Sequence, residues 1–223
     1  VVSMTNIETI TGVAGADTVT LSGTVSAGSV DLAGGNDTLS LGTGTVTITT
    51  ANVETMNGST GIDTVTLSAG VTNTSVDLGT GADTLALAAA GSTFTASNVE
   101  TLTGAAGVDT VTMGAAVTSA TIDLAAGNDV LTLGNFTNTA TISNAETITG
   151  GTGVSTITLG SVLTTSYTVD LAAGNDTLTL SAGTNTGSVT NVETLVGGSG
   201  ADTITIIAAI TSASLDGAGG NDT

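Results

Sequence analysis

All 19 acidic residues of this 223-residue chain fall into four series that share one spacing. Glu8, Glu54, Glu100, Glu146 and Glu193 are 46, 46, 46 and 47 residues apart. Asp17, Asp63, Asp109 and Asp202 keep the same step, with Ser155 in the intervening place. So do Asp31, Asp77, Asp123, Asp170 and Asp216, and Asp37, Asp83, Asp129, Asp176 and Asp222. The second and fourth series close glycine-rich turns, such as Gly58-Ser59-Thr60-Gly61-Ile62-Asp63 and Gly79-Thr80-Gly81-Ala82-Asp83. Glycine lets a turn bring backbone carbonyls close to an ion, and the aspartate adds a hard oxygen. Oxygen donors without His or Cys select Ca²⁺ or Mg²⁺, and flexible turns with few carboxylates per ion suit calcium's irregular coordination. Several Ca²⁺ ions are therefore expected at Asp17, Asp37, Asp63, Asp83, Asp109, Asp129, Asp176, Asp202 and Asp222. Asp31, Asp77, Asp123, Asp170 and Asp216 form a second tier of candidate ligands.

The charges have no partner in the chain, which leaves raised pKa values, solvent screening or a bound metal. The chain has no Lys, Arg or His and a formal charge of −19. If stacked coils align the turn aspartates, neighbours about 5 Å apart repel by ~3 kcal/mol at an effective dielectric of ~20, and the repulsion accumulates. Alternation in Asp63-Thr64-Val65-Thr66-Leu67 puts Asp63 on the inward side with Val65 and Leu67. Asp77 takes the side opposite to Val76 and Leu78 and points outward, while the parity of the Glu series is ambiguous. In the copy Gly150-Gly151-Thr152-Gly153-Val154-Ser155 the carboxylate is missing, so that site lacks its ligand.

The elements that hold these residues must be strands. The apolar residues are mostly Val, Ile, Leu and Ala among many Thr, aromatics are limited to Phe94, Phe136 and Tyr167, and proline is absent. No stretch sustains a 3.6-residue apolar period. Glu8 to Asp31 and Asp31 to Glu54 are each 23 residues, so the 46-residue repeat divides into two coils of about 23. The reading is all-β: a parallel β-solenoid, β-roll-like, of about ten coils, running through residues 1–223 as one continuous repeat. Stacking at ~4.8 Å gives a core ~45 Å long. One glycine turn per coil predicts one metal-rich edge and a longer, metal-poor remainder. Val1 opens no signal peptide and the chain starts and stops inside a repeat, so a segment of a longer or processed protein is expected.

The stretch Gly197-Gly198-Ser199-Gly200-Ala201-Asp202-Thr203-Ile204-Thr205 resembles the RTX (hemolysin-type) calcium-binding nonapeptide at every defined position. Other copies are degraded: Leu32-Ala33-Gly34-Gly35-Asn36-Asp37 and Leu171-Ala172-Ala173-Gly174-Asn175-Asp176 lose the leading glycines. The resemblance implies a right-handed parallel β-roll with calcium in its turns, folding after export where calcium is plentiful. It also implies a secreted or cell-surface location, since the family includes adhesins and surface-layer proteins. RTX rolls place nonapeptides back to back in coils of 18 residues with calcium on both sides, which the 23-residue coil departs from.

Composition limits what the chain does. Strong negative charge without a basic residue disfavours nucleic acid and anionic lipid. The densest apolar patch, Ile206 to Ile210, is far short of the ~20 residues of a membrane helix, so no membrane insertion is expected. Hydrophobic content of 39% and strict patterning argue against disorder, although the ion-free chain is expected to be unfolded. Without His, Cys or Lys the commonest bases and nucleophiles are missing, and an acid pair repeated in every unit is unlike an active site. The expectation is a non-catalytic, calcium-stabilised extracellular structural protein of surface-layer, adhesin-stalk or filament type, self-associating head-to-tail or laterally. The alternative is an ice- or glycan-binding module. Thr18/Thr20, Thr64/Thr66, Thr110/Thr112, Thr156/Thr158, Thr177/Thr179 and Thr203/Thr205 would form an outward hydroxyl lattice similar to that of ice-binding solenoids, interrupted at Ser40, Ala86 and Val130.

Overall fold

Alternating residues fix the architecture, because each short strand buries one side and leaves the other in water. The computed structural model describes residues 2–4, 8–207 and 213–223. Asn6 and Ile7 of the first repeat copy, and Ala208 to Ile210 of the apolar patch, lie outside the described residues. The chain divides into two compact units, Val1–Val111 and Thr112–Thr223.

In the first unit one sheet takes β1 (Val2–Met4), β3 (Thr18–Leu21), β5 (Thr38–Ser40), β7 (Thr55–Ser59), β9 (Thr72–Gly79) and β11 (Thr93–Ser97). The other takes β2 (Thr9–Thr11), β4 (Val25–Asp31), β6 (Val46–Ala51), β8 (Asp63–Leu67), β10 (Thr84–Ala86) and β12 (Thr101–Ala105). β13 (Thr110–Met113) spans the unit boundary. In the second unit β14 (Thr118–Ala125), β16 (Asn138–Ser143), β18 (Ser155–Leu159), β20 (Thr177–Thr179), β22 (Thr194–Val196) and β24 (Ser214–Asp216) form one sheet. Its companion holds β15 (Val130–Thr132), β17 (Thr147–Thr149), β19 (Thr168–Asp170), β21 (Thr186–Thr190) and β23 (Thr203–Ile206). Successive strands alternate between the sheets and neighbours within a sheet run parallel, as in Thr84↔Thr64 and Thr177↔Thr156. This is the parallel β-solenoid the sequence predicts, with no helix among the described residues.

Coil length departs from the expectation. Residues facing each other on adjacent coils are 17, 20 or 21 apart, as in Thr38↔Thr55, Thr18↔Thr38 and Thr156↔Thr177, rather than 23. The reason is the number of strands in the repeat. Thr9 lies in β2, Thr55 in β7 and Thr101 in β12, so 46 residues contain five strands, or two and a half coils. A 23-residue coil would have required four. An odd count places equivalent residues of successive repeats on opposite sheets.

The core is a set of apolar columns. Ile48, Val65, Leu85 and Leu102 face one another coil to coil in the first unit, all at most 3% exposed. Leu131, Ile148, Val169 and Val189 do the same in the second. Burying each such side chain contributes roughly 1.5–3 kcal/mol, which no single coil supplies in quantity and a stack does. Left-handed corners set the turns between strands: Asn52, Asn98, Asn144 and Asn191 have φ of 52–54°, a region asparagine tolerates better than most side chains.

Candidate metal centre

The glycine-turn aspartates sit immediately before a strand, or at its first residue, at the position where the chain enters the core. Asp37, Asp63, Asp83, Asp109, Asp129 and Asp176 are at most 1% exposed, as their parity with the inward apolar residues predicts. Each carboxylate caps the coil before it. Asp37 Oδ1 accepts the Asp17 N–H at 2.7 Å, and Glu54 Oε2 accepts the Asp37 N–H at 2.8 Å. On the other edge Asp63 Oδ1 accepts from Val46 at 3.0 Å, Asp83 Oδ1 from Asp63 at 2.7 Å, and Glu100 Oε2 from Asp83 at 2.8 Å. The second unit repeats the pattern, with Glu146 Oε2 on Asp129 N–H, Asp176 Oδ1 on Ser155 N–H and Glu193 Oε2 on Asp176 N–H.

The acids therefore form short Asp–Asp–Glu ladders, not one long column. Asp17, Asp37 and Glu54 belong to the edge of β3, β5 and β7, whereas Asp63, Asp83 and Glu100 belong to that of β8, β10 and β12. This corrects the single metal-rich edge expected from the sequence: five strands per repeat move each new ladder to the opposite edge. Two and a half coils in 46 residues average close to the 18-residue coil of RTX rolls, so the apparent departure from that architecture disappears.

Four of these carboxylates keep one oxygen without a partner. Oδ2 of Asp37, Asp63, Asp83 and Asp176 is buried without a hydrogen bond. Desolvation raises the pKa of Asp63 and of Asp176 above the usual carboxylate range. Burial, reinforced by the neighbouring charges of Asp63 and Glu100, pushes Asp83 up to about 6. An anion held this way calls for a proton or a cation. The turns offer the rest of a cation site. A Cβ on Gly81 would lie 2.6 Å from Asp83 Oδ1 and collide with the Gly61 carbonyl, and one on Gly174 would lie 2.8 Å from Asp176 Oδ1 and 3.0 Å from the Gly153 carbonyl. Carboxylate and main-chain oxygens thus converge where only glycine fits. Among the described residues no group of three or more His, Cys, Asp or Glu side chains converges, so an ion would rely on one or two carboxylates and backbone carbonyls. That donor set fits calcium.

Asp202, in the complete nonapeptide, is satisfied differently. Burial works to raise its pKa, but hydrogen bonds from the Asn185 N–H, the Gly198 N–H and the Asn185 amide outweigh it and hold the carboxyl below the usual range. The second-tier aspartates point outward and serve the corners. Asp31, Asp123 and Asp170 each accept the N–H two residues on, at 2.9–3.0 Å, and an asparagine amide of the next coil at 2.7 Å. Asp77 and Asp216 make the same two-residue bond, Asp77 also with Asn98. The bonds from Asn52 and Ala33 lower the pKa of Asp31.

A further series escaped the sequence reading because it carries no charge. Val46, Ser92, Asn138 and Asn185 are 46, 46 and 47 residues apart and lie one coil before Asp63, Asp109, Ser155 and Asp202. Asn138 and Asn185 are fully buried. The signal was their shared spacing behind a glycine turn.

Residues 190–205 match the family model of the RTX calcium-binding nonapeptide repeat (4 copies). The chain is a parallel β-solenoid, of which these sixteen residues match the RTX repeat. No curated protein and no solved structure matches it. The RTX nonapeptide implies Ca²⁺ binding, and RTX repeats are typical of secreted proteins. A solenoid of this kind fits a calcium-stabilised structural protein.

Proposed function

We propose that the protein is a non-catalytic extracellular structural component, of surface-layer, adhesin-stalk or filament type, that folds around several calcium ions. The observation that carries the reading is the buried, unpartnered Oδ2 of Asp37, Asp63, Asp83 and Asp176 in a chain without one cationic side chain. Low calcium inside a cell would keep the chain unfolded for export, and external calcium would supply folding free energy. Asp17, Asp37, Asp63, Asp83, Asp109, Asp129, Asp176, Asp202 and Asp222 are the proposed ligands, and self-association the proposed partner chemistry. Far-UV circular dichroism during a calcium titration, with magnesium as control, tests it. Above the melting temperature of the ion-free chain, a cooperative gain of β signal reversed by chelator is expected; equal folding in chelator would sink the calcium-dependent part.

A second reading has its own observation. Thr139, Thr156, Thr177, Thr194 and Ser214 face one another in uninterrupted succession in the second unit, and Thr47, Thr64, Thr84 and Thr101 in the first. The register does not join the expected Thr-x-Thr pairs in one lattice: Thr18/Thr20 and Thr64/Thr66 lie on different sheets of the first unit, and Thr156/Thr158 and Thr203/Thr205 on different sheets of the second. Thr84 continues the column of Thr64, while Ala86 interrupts the adjacent one. Hydroxyls about 7 Å apart along strands and ~4.8 Å apart between them would suit ice or a glycan. A thermal hysteresis assay on the calcium-loaded chain separates this reading from a plain scaffold, which would show none.

A further inference from the structure

Asn138 and Asn185 occupy ladder positions, and their amides do what an aspartate cannot. Asn138 Oδ1 accepts the Val117 N–H at 3.2 Å, as Asp63 Oδ1 accepts the Val46 N–H. The other end of the amide turns into the glycine turn: Nδ2 donates to the Phe136 carbonyl at 2.8 Å and the Gly134 carbonyl at 3.3 Å, two and four residues back. Asn185 repeats the geometry. Its Oδ1 accepts the Leu163 N–H at 2.9 Å, and its Nδ2 donates at 2.9 Å to the carbonyls of Gly183 and Ser181, again two and four back. The same nitrogen reaches Asp202 Oδ1 at 2.9 Å.

Carboxylate and amide are planar and nearly isosteric. With Oδ1 held by the same bond from the preceding coil, the second atom of an aspartate occupies the place of Nδ2. In Asp63 and Asp176 that atom is the buried Oδ2 without a partner. The asparagine differs only in bringing two N–H donors to the turn's carbonyls, where an aspartate brings a second negative oxygen. We infer that Asn138 and Asn185 are built-in cation substitutes: ion-independent rungs, closed by the amide nitrogen, within a solenoid whose aspartate rungs are closed by calcium. The inference rests on the calcium reading above. Both rungs lie in the unit Thr112–Thr223, whereas the corresponding positions of the first unit are Val46 and Ser92. The second unit therefore holds together at lower calcium than its number of repeats would suggest.

The test compares three variants of the whole chain, Asn138→Asp, Asn138→Leu and Asp63→Asn. Each is melted in chelator and in calcium, and bound ions are counted by calorimetric titration. In chelator Asn138→Asp should melt about 4–8 °C below wild type, the effect of one buried group left unpaired. Calcium should restore it and the titration should gain one ion per chain. Asp63→Asn should do the reverse, melting higher in chelator and binding one ion fewer. Asn138→Leu has neither donor nor ligand and should be weakened equally in both media. Should Asn138→Asp not fold in chelator, its recovery with calcium is the supporting result. An Asn138→Leu chain as stable as wild type in chelator would overturn the inference and leave the calcium reading intact. A wild type that binds no calcium would remove that reading and the ion half of the inference, while the loss in Asn138→Leu would still register the amide's part.

Discussion

Asp63 donates its backbone N–H to Oδ1 of Asp83 at 2.7 Å, and both residues keep a buried Oδ2 with no partner. Two carboxylates in register on adjacent coils, with no cationic side chain in the protein, make the ion-free chain sensitive to pH. Asp83 holds its proton up to about 6, above its ordinary 3.8. The folded chain then binds more protons than the unfolded one between these values. Asp83's contribution, about 2–3 kcal/mol, is complete below pH ~4 and lost as pH rises through 6. In chelator the melting temperature should fall between pH 4.5 and 7, and Asp63 and Asp176 shift in the same direction. Saturating calcium should invert the slope, because the ion binds only the ionised carboxylate. A flat profile in chelator would refute the ladder's role.

The glycine turns give a steric prediction. Gly81→Ala places a methyl 2.6 Å from Asp83 Oδ1 and against the Gly61 carbonyl. The backbone cannot yield without opening the ladder, so a loss of roughly 1–3 kcal/mol and of calcium binding near Asp83 is expected. Gly34 has nothing within 4 Å of its would-be Cβ. Gly34→Ala should be neutral or stabilise by up to ~1 kcal/mol. Chemical unfolding of the pair in calcium distinguishes the two; equal losses would show that the turns are less closely built than the contacts at Gly81 require.

The period, the parallel solenoid and the inward parity of Asp63 were legible because they depend on spacing and alternation alone. How many strands fill the repeat was not. Thr93–Ser97 and Thr101–Ala105 are separate strands on either side of the Asn98-Val99-Glu100 corner, a stretch whose parity the sequence leaves ambiguous. Val46–Ala51 alternates as a strand should, yet has no acid to mark it as a rung. Four strands or five fit the same 46-residue spacing, and only coil closure decides between one acidic edge and two. Asn138 and Asn185 were missed for a related reason: their role depends on which carbonyls the turn aims at Nδ2, a property of backbone geometry.

The corner asparagines should matter whether or not calcium is present. Asn144 Nδ2 donates to Asp123 Oδ1 at 2.7 Å, and that oxygen also accepts the Ala125 N–H at 3.0 Å. Asn144 has φ of 53° and Ala125 of 65°, so one carboxylate ties two left-handed corners on successive coils. Asn144→Ala removes the amide and places alanine at positive φ, for an expected loss of about 1–2 kcal/mol. Asn144→Gly relieves the backbone cost and should lose less. Denaturant melts in calcium and in chelator should give the same difference; a loss confined to calcium would make Asp123 a metal ligand instead.

Tyr167 supplies a local reporter of occupancy. It is the only tyrosine in a chain without tryptophan. Burial raises its pKa, and its hydroxyl hydrogen-bonds to Glu146, whose Oε2 accepts the Asp129 N–H at 2.7 Å. The phenol therefore stands at the end of the ladder that Asp129 and Glu146 belong to. Terbium shares calcium's preference for hard oxygen ligands, and an excited tyrosine transfers energy only to a nearby bound lanthanide. Excitation of Tyr167 should give terbium emission that calcium displaces. Asp129→Asn should abolish most of it, whereas Asp176→Asn, on the edge of β18, β20 and β22, should leave it nearly unchanged. Emission indifferent to Asp129 would place the ion elsewhere; emission lost equally in both variants would mean that the two edges fill as one cooperative unit.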